Sequence, residues 1–309
     1  MAFPVALARC AAYEPALLHD AVARLFAAIA FAPAPGARVL VKPNLLRAAN
    51  GGLPCTHPLV VAAVCRWLLD HGAAVRVADS PGFGTARGVG GKIGLAAALA
   101  PLGVPLVNLH RTEPLRLSFG HTIGVAPEAL EADWICNLPK LKAHSQFRVT
   151  GAVKNWFGCV PGARKAVAHS RYGEQGNRFE SLIIEIMQAM PPSVALLDGV
   201  TAMHVAGPVM GEPYPLGLLA ASWSSVALDT AVYGMLGLAP EALPLWRELL
   251  RRGVAGADAA TVAYPLERPE VFDVSGFQLP HALNPVSFHP RQLVRSLLRR
   301  TWARLRKWG

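Results

Sequence analysis

RVLVKPNLLRAANGGLPCTHPLVVAAVCRWLLDHGAAVRVADSPGFGT, residues 38–85, is the stretch on which the reading of the fold turns. Arg38 to Lys42 is a short, largely apolar run of strand length, and Pro43 stops it because proline cannot donate to a sheet ladder. Asn44 follows at the carboxyl end. Thr56 is placed to cap a helix, Pro58 suits its first turn, and the apolar body runs to Leu69 before Gly72 closes it. Val75 to Ala78 reads as the next strand, with Asp79, Ser80 and a glycine-rich loop to Thr85 beyond it. Strand, polar loop, helix and strand in this order predict parallel α/β architecture.

The pattern continues on both sides. Val5 to Ala8 reads as a first strand and Glu14 to Ile29 as a helix. Leu95 to Leu102 is helical, Val104 to Leu109 a strand, and Leu115 to Val125 an irregular β-like excursion. Trp134 to Leu138 is a strand ended by Pro139, and an extended continuation would project Lys140, Lys142 and His144 to one side. Val149, Val153, Trp156 and Val160 recur at the steps of a helical stripe, with Thr150, Gly151, Lys154, Asn155 and Gly158 opposite. Two glycines inside such a helix cost about 1 kcal/mol each, so some group should approach the backbone closely there. Ala163 to Asn177 reads as a basic, flexible loop carrying Arg164, Lys165, His169 and Arg171.

Phe179 to Met190 is a helix, and Ser193 to Leu197 a strand that Asp198 and Gly199 end. Leu218 to Ser222 is a strand, Ser225 to Leu236 a helix carrying Asp229, and Glu241 to Arg251 an amphipathic helix. Asp258 to Gly276 shows little regular pattern. The expected fold is α/β: a mostly parallel, Rossmann-like sheet with helices on both faces, one compact body over 1–290, and an amphipathic helical tail over 291–309.

Hydrophobic residues make up 52% and charged ones 16% of the 309, the composition of a folded protein. The net charge of +10 suggests nucleic acid until it is located: seven basic residues and no acidic one lie from Arg291 onward, leaving +3 for the rest. That near-neutral body argues against a nucleic-acid partner. No apolar run reaches the length of a membrane span, and the N-terminus lacks the pattern of a signal peptide, so a cytoplasmic location is expected. In the tail, Leu293, Val294, Leu297, Leu298, Trp302 and Leu305 form one apolar stripe among bases, which fits either peripheral membrane contact or docking on protein. The five cysteines form no Cys-x-x-Cys pair, so no zinc site or self-contained iron–sulfur run is read.

Open α/β sheets bind ligands beyond the carboxyl ends of their strands. Lys42, Asn44, His57, Asp79, Ser80, Lys140 and Lys142 all fall at or just past such ends. An unpaired ammonium in a partly buried cleft costs several kcal/mol, whereas a charge-assisted hydrogen bond to a carboxylate or phosphate returns about 1.5–3 kcal/mol. Converging lysines therefore need an anion. Lys42, Lys140, Lys142 and Lys154 would hold a small anionic substrate, Asn44, Asn155 and Ser80 would orient it, and His57 or His144 with Asp79 or Asp198 would move protons. Asp79, Asp198 and Asp229 suit a hard cation as well, but pairing with the lysines is favoured, and no metal site is assigned. Gly82, Gly84 and Gly88 miss the dinucleotide fingerprint by one residue, and Gly91-Lys92 lacks the rest of a phosphate loop. No cofactor is legible.

Several blocks together resemble a known family: KPN at 42–44, THP at 56–58, ADSPG at 78–82, NLPKLKAH at 137–144, TGAVKNWFGCVPG at 150–162, and Asp198-Gly199. These resemble the bacterial and archaeal domain of unknown function family numbered 362, over most of residues 38–235. The resemblance implies no reaction. Many members carry a ferredoxin-like segment with two four-iron clusters, whereas this chain has no cysteine after Cys159 and has Ala143 where threonine is usual. A redox role would then need a separate ferredoxin as partner, with Cys136 and Cys159 as the relevant thiols. A third expectation is a non-catalytic anion-binding or membrane-associated module working through 291–309.

Overall fold

The structure, a computed structural model, describes residues 2–286. Its centre is an eleven-stranded sheet that includes, in chain order, β1 (Phe3–Arg9), β2 (Arg38–Pro43), β3 (Ala74–Asp79), β4 (Leu106–Asn108), β5 (Trp134–Leu138), β6 (Lys140–His144), β7 (Arg148–Thr150), β8 (Ser193–His204), β9 (Leu218–Ser222) and β10 (Val262–Ala263), with the short strand Glu212–Tyr214 paired to the end of β8. Across the sheet the order is β10-β1-β9-β8-β5-β2-β3-β4. β8, β5, β2, β3 and β4 run parallel, and β9 alone on this path is antiparallel to both its neighbours. β6 continues β5 past Pro139 and pairs with β8 and β7.

Each central strand is apolar on both sides, as a parallel sheet covered on both faces requires. Val39 and Val41 of β2 enter one core with helices α1 (Pro15–Ala28) and α2 (Pro58–Asp70) through Leu18, Val22, Phe26, Val60, Val64 and Leu68. Leu40, between them, points into the opposite core. There it meets residues of helices α4 (Arg178–Gln188) and α5 (Ser225–Met235), among them Leu182, Ile183, Val226 and Leu228. Fully burying one such side chain is worth about 1.5–3 kcal/mol, so the two cores hold the sheet rigid from both sides.

This order creates a switch point. The chain leaves β2 through α2 to β3 and β4 on one side, then returns to β5 on the other side of β2. The loops leaving β2 and β5 therefore part in opposite directions, and a crevice opens at their carboxyl ends. Lys42 is the penultimate residue of β2, Asp79 the last of β3, and Lys140 follows β5 by two residues.

Four expectations need correction. The stripe from Val149 to Val160 is not one helix but β7, a helical turn at Ala152–Asn155 and a 3-10 turn at Trp156–Cys159. Its break at Gly151 is fixed by Asp229, which takes the Ala152 and Val153 amides at 2.6 and 2.9 Å. Residues 163–177 are not a flexible loop throughout, because Arg164–Tyr172 forms helix α3, which buries Ala168, His169 and Tyr172. The strand at Ser193 does not end at Asp198: it pairs on to His204, placing Asp198 opposite Lys140 and Leu219 inside the sheet. His57, not Thr56, caps α2, accepting from the Leu59 amide, while Thr56 Oγ1 donates to the Leu138 carbonyl. The tail expected at 291–309 lies outside the described residues.

Candidate functional site

Two buried ion pairs form the base of the crevice. Lys42 Nζ lies 2.9 Å from Asp79 Oδ1, and Asp79 Oδ2 accepts from the Leu45 amide at 2.9 Å. Gly158 crosses directly above this pair, where a Cβ would sit 2.4 Å from Lys42 Nζ and 2.5 Å from Asp79 Oδ1. The glycine is there so that the backbone can lie on the ion pair. Gly151 answers the same need beside Asp229, whose Oδ1 would be 2.2 Å from an added Cβ. The close approach expected at both glycines is made by the protein's own carboxylates and Lys42.

Lys140 Nζ pairs with Asp198 Oδ2 at 2.9 Å. Tyr13, carried just before α1, completes this second pair: its hydroxyl donates to Asp198 Oδ1 at 2.8 Å and accepts from Lys140 Nζ at 2.8 Å and the Thr201 amide at 3.0 Å. The His57 amide also donates to Asp198 Oδ2, at 2.8 Å, and the His57 ring stacks on Tyr13 with centroids 3.6 Å apart. Burial and the Asp198 charge push the Tyr13 hydroxyl far above its ordinary pKa, so it stays protonated and remains a donor.

Among the described residues, three further lysines have no carboxylate. Lys142 Nζ donates to Asn44 Oδ1 at 3.0 Å and the Pro54 carbonyl at 2.9 Å. Lys165 Nζ, reaching in from α3, donates to the Ser80 carbonyl at 2.7 Å, Ser80 Oγ at 2.9 Å and the Val160 carbonyl. Lys154 Nζ makes no hydrogen bond or ion pair among the described residues; it faces the rings of Phe157, Phe147 and Phe179 at 4.7, 5.3 and 5.9 Å. Burial first, then neighbouring lysines, push Lys142 down to about 8, Lys165 to about 8 and Lys154 to about 7. The rings resist this at Lys154, each favouring the ammonium by about 0.5–1 kcal/mol. Burial beside three like charges outweighs them.

The chain has seven lysines against twenty-three arginines, and five of the seven are here. Arginine is always charged, whereas lysine is a compact charge that burial can titrate, and this crevice uses lysine throughout. Lys42, Lys142 and Lys165 each lower the Lys154 pKa through their charge, which places all three within electrostatic reach of Lys154.

The histidines are held neutral. His144 Nδ1 accepts from the Gln146 amide at 3.1 Å, so its proton sits on Nε2, and burial pushes its pKa well below the ordinary value with Lys154, Lys142 and His169 adding to the effect. His169 Nδ1 lies 3.0 Å from the Val286 carbonyl, which fixes a proton there, and burial takes it down to about 3. His57 is lowered by burial as well, and its Nδ1 is engaged as the helix cap.

Of the residues expected at the site, Lys42, Asn44, His57, Asp79, Ser80, Lys140, Lys142, His144, Lys154 and Asp198 are brought into this network. Asn155 is there too, but its amide nitrogen donates to Asn137 Oδ1 at 2.7 Å and ties the Ala152–Asn155 turn to β5. Asp229 is not paired with a lysine. Burial pushes its carboxyl up to about 7 against the lowering by two amides. Tyr13 and the lysine role of Lys165 were not assigned from sequence: Tyr13 lies 185 residues from its partner and carries no local signal, while Lys165 sits in a visibly basic segment. Cys136 and Cys159 are buried with their thiols pushed up, Cys159 to about 11, which is the behaviour of packed rather than reactive cysteines. Among the described residues no group of three or more His, Cys, Asp or Glu side chains is placed to hold a metal. Surface clefts of about 440 and 660 Å³ lie elsewhere, at the amino ends of β2 and β3 and between α1 and α2.

Comparison with known proteins adds to this picture. The model of the family described as "Domain of unknown function (DUF362)" matches residues 39–234, the segment that carries every one of the five lysines. The chain is 39% identical over 276 residues to the thylakoid-associated protein sll1697 of Synechocystis sp., covering 88% of this chain and 85% of that protein. Among solved structures it is similar to the lactate racemase apoprotein of Thermoanaerobacterium thermosaccharolyticum, with 15% identity and a TM-score of 0.45 over 72% of this chain. The match spans 55% of that longer chain, and no residue role is transferred from it.

Proposed function

Because the chain belongs to the DUF362 family, we propose that the crevice is this family domain's ligand site, and that it binds and transforms a small carboxylated or phosphorylated molecule. One observation carries the reading: five lysines meet there, among the described residues only two of them pair with a carboxylate, and in the remaining three burial, with neighbouring lysines adding to it, holds the pKa below the ordinary lysine value. An anion entering beside Lys142, Lys154 and Lys165 would replace a missing countercharge, and each charge-assisted contact is worth about 1.5–3 kcal/mol. Asn44 and Ser80, already bonded to two of these lysines, fix where the ammonium groups sit. His144 keeps its Nε2 proton as a hydrogen-bond donor to the bound molecule, and the Tyr13–Asp198–Lys140 set, with His57 stacked against it, borders the site.

The test is to replace Lys142 and Lys165 together by methionine and measure sulfate or phosphate binding by calorimetry, with native mass spectrometry of the purified wild type for a retained anion. Binding should fall at least a hundredfold in the double variant while the circular dichroism spectrum is kept. Wild-type protein that binds neither anion, or a double variant that binds as well as wild type, rejects the reading.

We also infer work at a membrane surface, supported by the thylakoid association of a relative 39% identical and by the basic, tryptophan-bearing sequence from Arg291 onward. Anionic vesicles should pellet the full chain and not a chain cut before Arg291; equal pelleting of both refutes it.

A further inference from the structure

Lys154 differs from the other four lysines of the crevice. Lys42 and Lys140 have aspartates, and Lys142 and Lys165 have carbonyl, amide or hydroxyl oxygens, but among the described residues Lys154 Nζ has only three phenylalanine rings. Phe147, Phe157 and Phe179 belong to three separate segments, and all three are buried. The charged groups that reach Lys154 are lysines, and the nearby His144 and His169 are neutral. A buried aromatic wall with no acceptor for Lys154 among the described residues, together with adjacent cations, supplies the two conditions, desolvation and like charge, under which a lysine becomes a free amine and a nucleophile.

Resting on the anion-site reading above, we propose that Lys154 forms an imine with the carbonyl carbon of a 2-oxo carboxylate whose carboxylate is held by Lys142 and Lys165. The Lys154 nitrogen attacks the carbonyl carbon, and a C–N bond forms as the C=O π bond breaks. The carbinolamine then loses its oxygen as water, both amine hydrogens leaving with it, and a C=N bond remains. No oxidant or reductant is needed. His144, neutral with its proton on Nε2 and its Nδ1 engaged by the Gln146 amide, lies within electrostatic reach of Lys154 and can donate a hydrogen bond to the carbinolamine oxygen, while the two protons that leave with that oxygen come from the amine itself.

The free-amine fraction sets the selectivity. At pH 7 an amine titrating near 7 is about half unprotonated, against on the order of one in a thousand for an amine at the ordinary lysine value. The experiment treats full-length protein with low glyoxylate and sodium cyanoborohydride at pH 7, then maps modified lysines by peptide mass spectrometry. Hydride adds to the imine carbon and a proton to nitrogen, leaving a carboxymethyl group. Lys154 should be labelled on the order of a hundredfold more than Lys92, with saturation in glyoxylate, suppression by sulfate, and loss of the label in Lys154→Arg. Labelling spread over exposed lysines, with Lys154 unmodified while sulfate still binds, overturns the imine and leaves the anion site standing. No labelling of Lys154 and no sulfate binding overturns both.

Discussion

Lys42 and Lys140 sit in the same crevice as Lys142, Lys154 and Lys165, yet the two sets are held in opposite ways. The first two are locked to Asp79 and Asp198, with every oxygen of those carboxylates bonded to protein. The other three face carbonyls, a hydroxyl, an amide oxygen or bare rings. The first set is architecture, fixing the ends of β2 and β3 and tying the start of β6 to the middle of β8, and the second is the part that, on the function proposed above, a ligand would complete. A buried charge without a countercharge is costly; Lys142 is buried and Lys154 and Lys165 are half-buried, and on the function proposed above the missing countercharge is the ligand's.

The contrast is broken most directly by removing one member of each set. Lys42→Met strands the buried Asp79 carboxylate and should destabilise the fold by about 3–5 kcal/mol in urea unfolding. A loss under 1 kcal/mol would put Lys42 with the unpaired set.

Next in size is a pH effect. Lys142, Lys154 and Lys165 titrate below the ordinary lysine value when folded, so between about pH 7 and 10 the unfolded chain binds more protons than the folded one. Stability therefore rises with pH in that window. From pH 7 to 9, without added anion, unfolding free energy should increase by about 2–5 kcal/mol, and saturating sulfate should flatten the rise. A flat or falling profile in anion-free buffer contradicts the assignment.

Smaller again is Lys154→Met, which places an apolar chain against Phe147, Phe157 and Phe179 and removes a charge with no partner. It should stabilise the fold by about 1–3 kcal/mol, against the loss expected at Lys42. Destabilisation beyond 1 kcal/mol would mean that Lys154 has a structural partner.

The alternation from Arg38 to Asp79 was legible because strand, proline stop, capped helix and strand are all local signals, and the position of Lys42 and Asp79 at strand ends followed from it. Asp198 was legible as a site residue but not as the middle of a strand, because pairing with Leu219 and Lys140 is what carries β8 through Gly199 to His204. The apolar stripe from Val149 to Val160 is real. The reason it is not a helix, an aspartate 77 residues away that takes two of its amides, is invisible in the stripe. Tyr13 shows the same limit at 185 residues. What sequence could show was that the lysines gather; which of them already have partners is a property of long-range packing, and the division of labour in the crevice depends on it.

The central claim is that an anion completes the three lysines that lack a carboxylate among the described residues, and proton uptake measures it. Sulfate, which does not titrate in this range, is bound at pH 8 in two buffers of different ionisation enthalpy, and the heat difference gives protons taken up. With Lys142 and Lys165 near 8 and Lys154 near 7, between about one and two protons should be taken up per sulfate at pH 8, and close to none at pH 6. Sulfate that binds at pH 8 without proton uptake, or does not bind, contradicts the account.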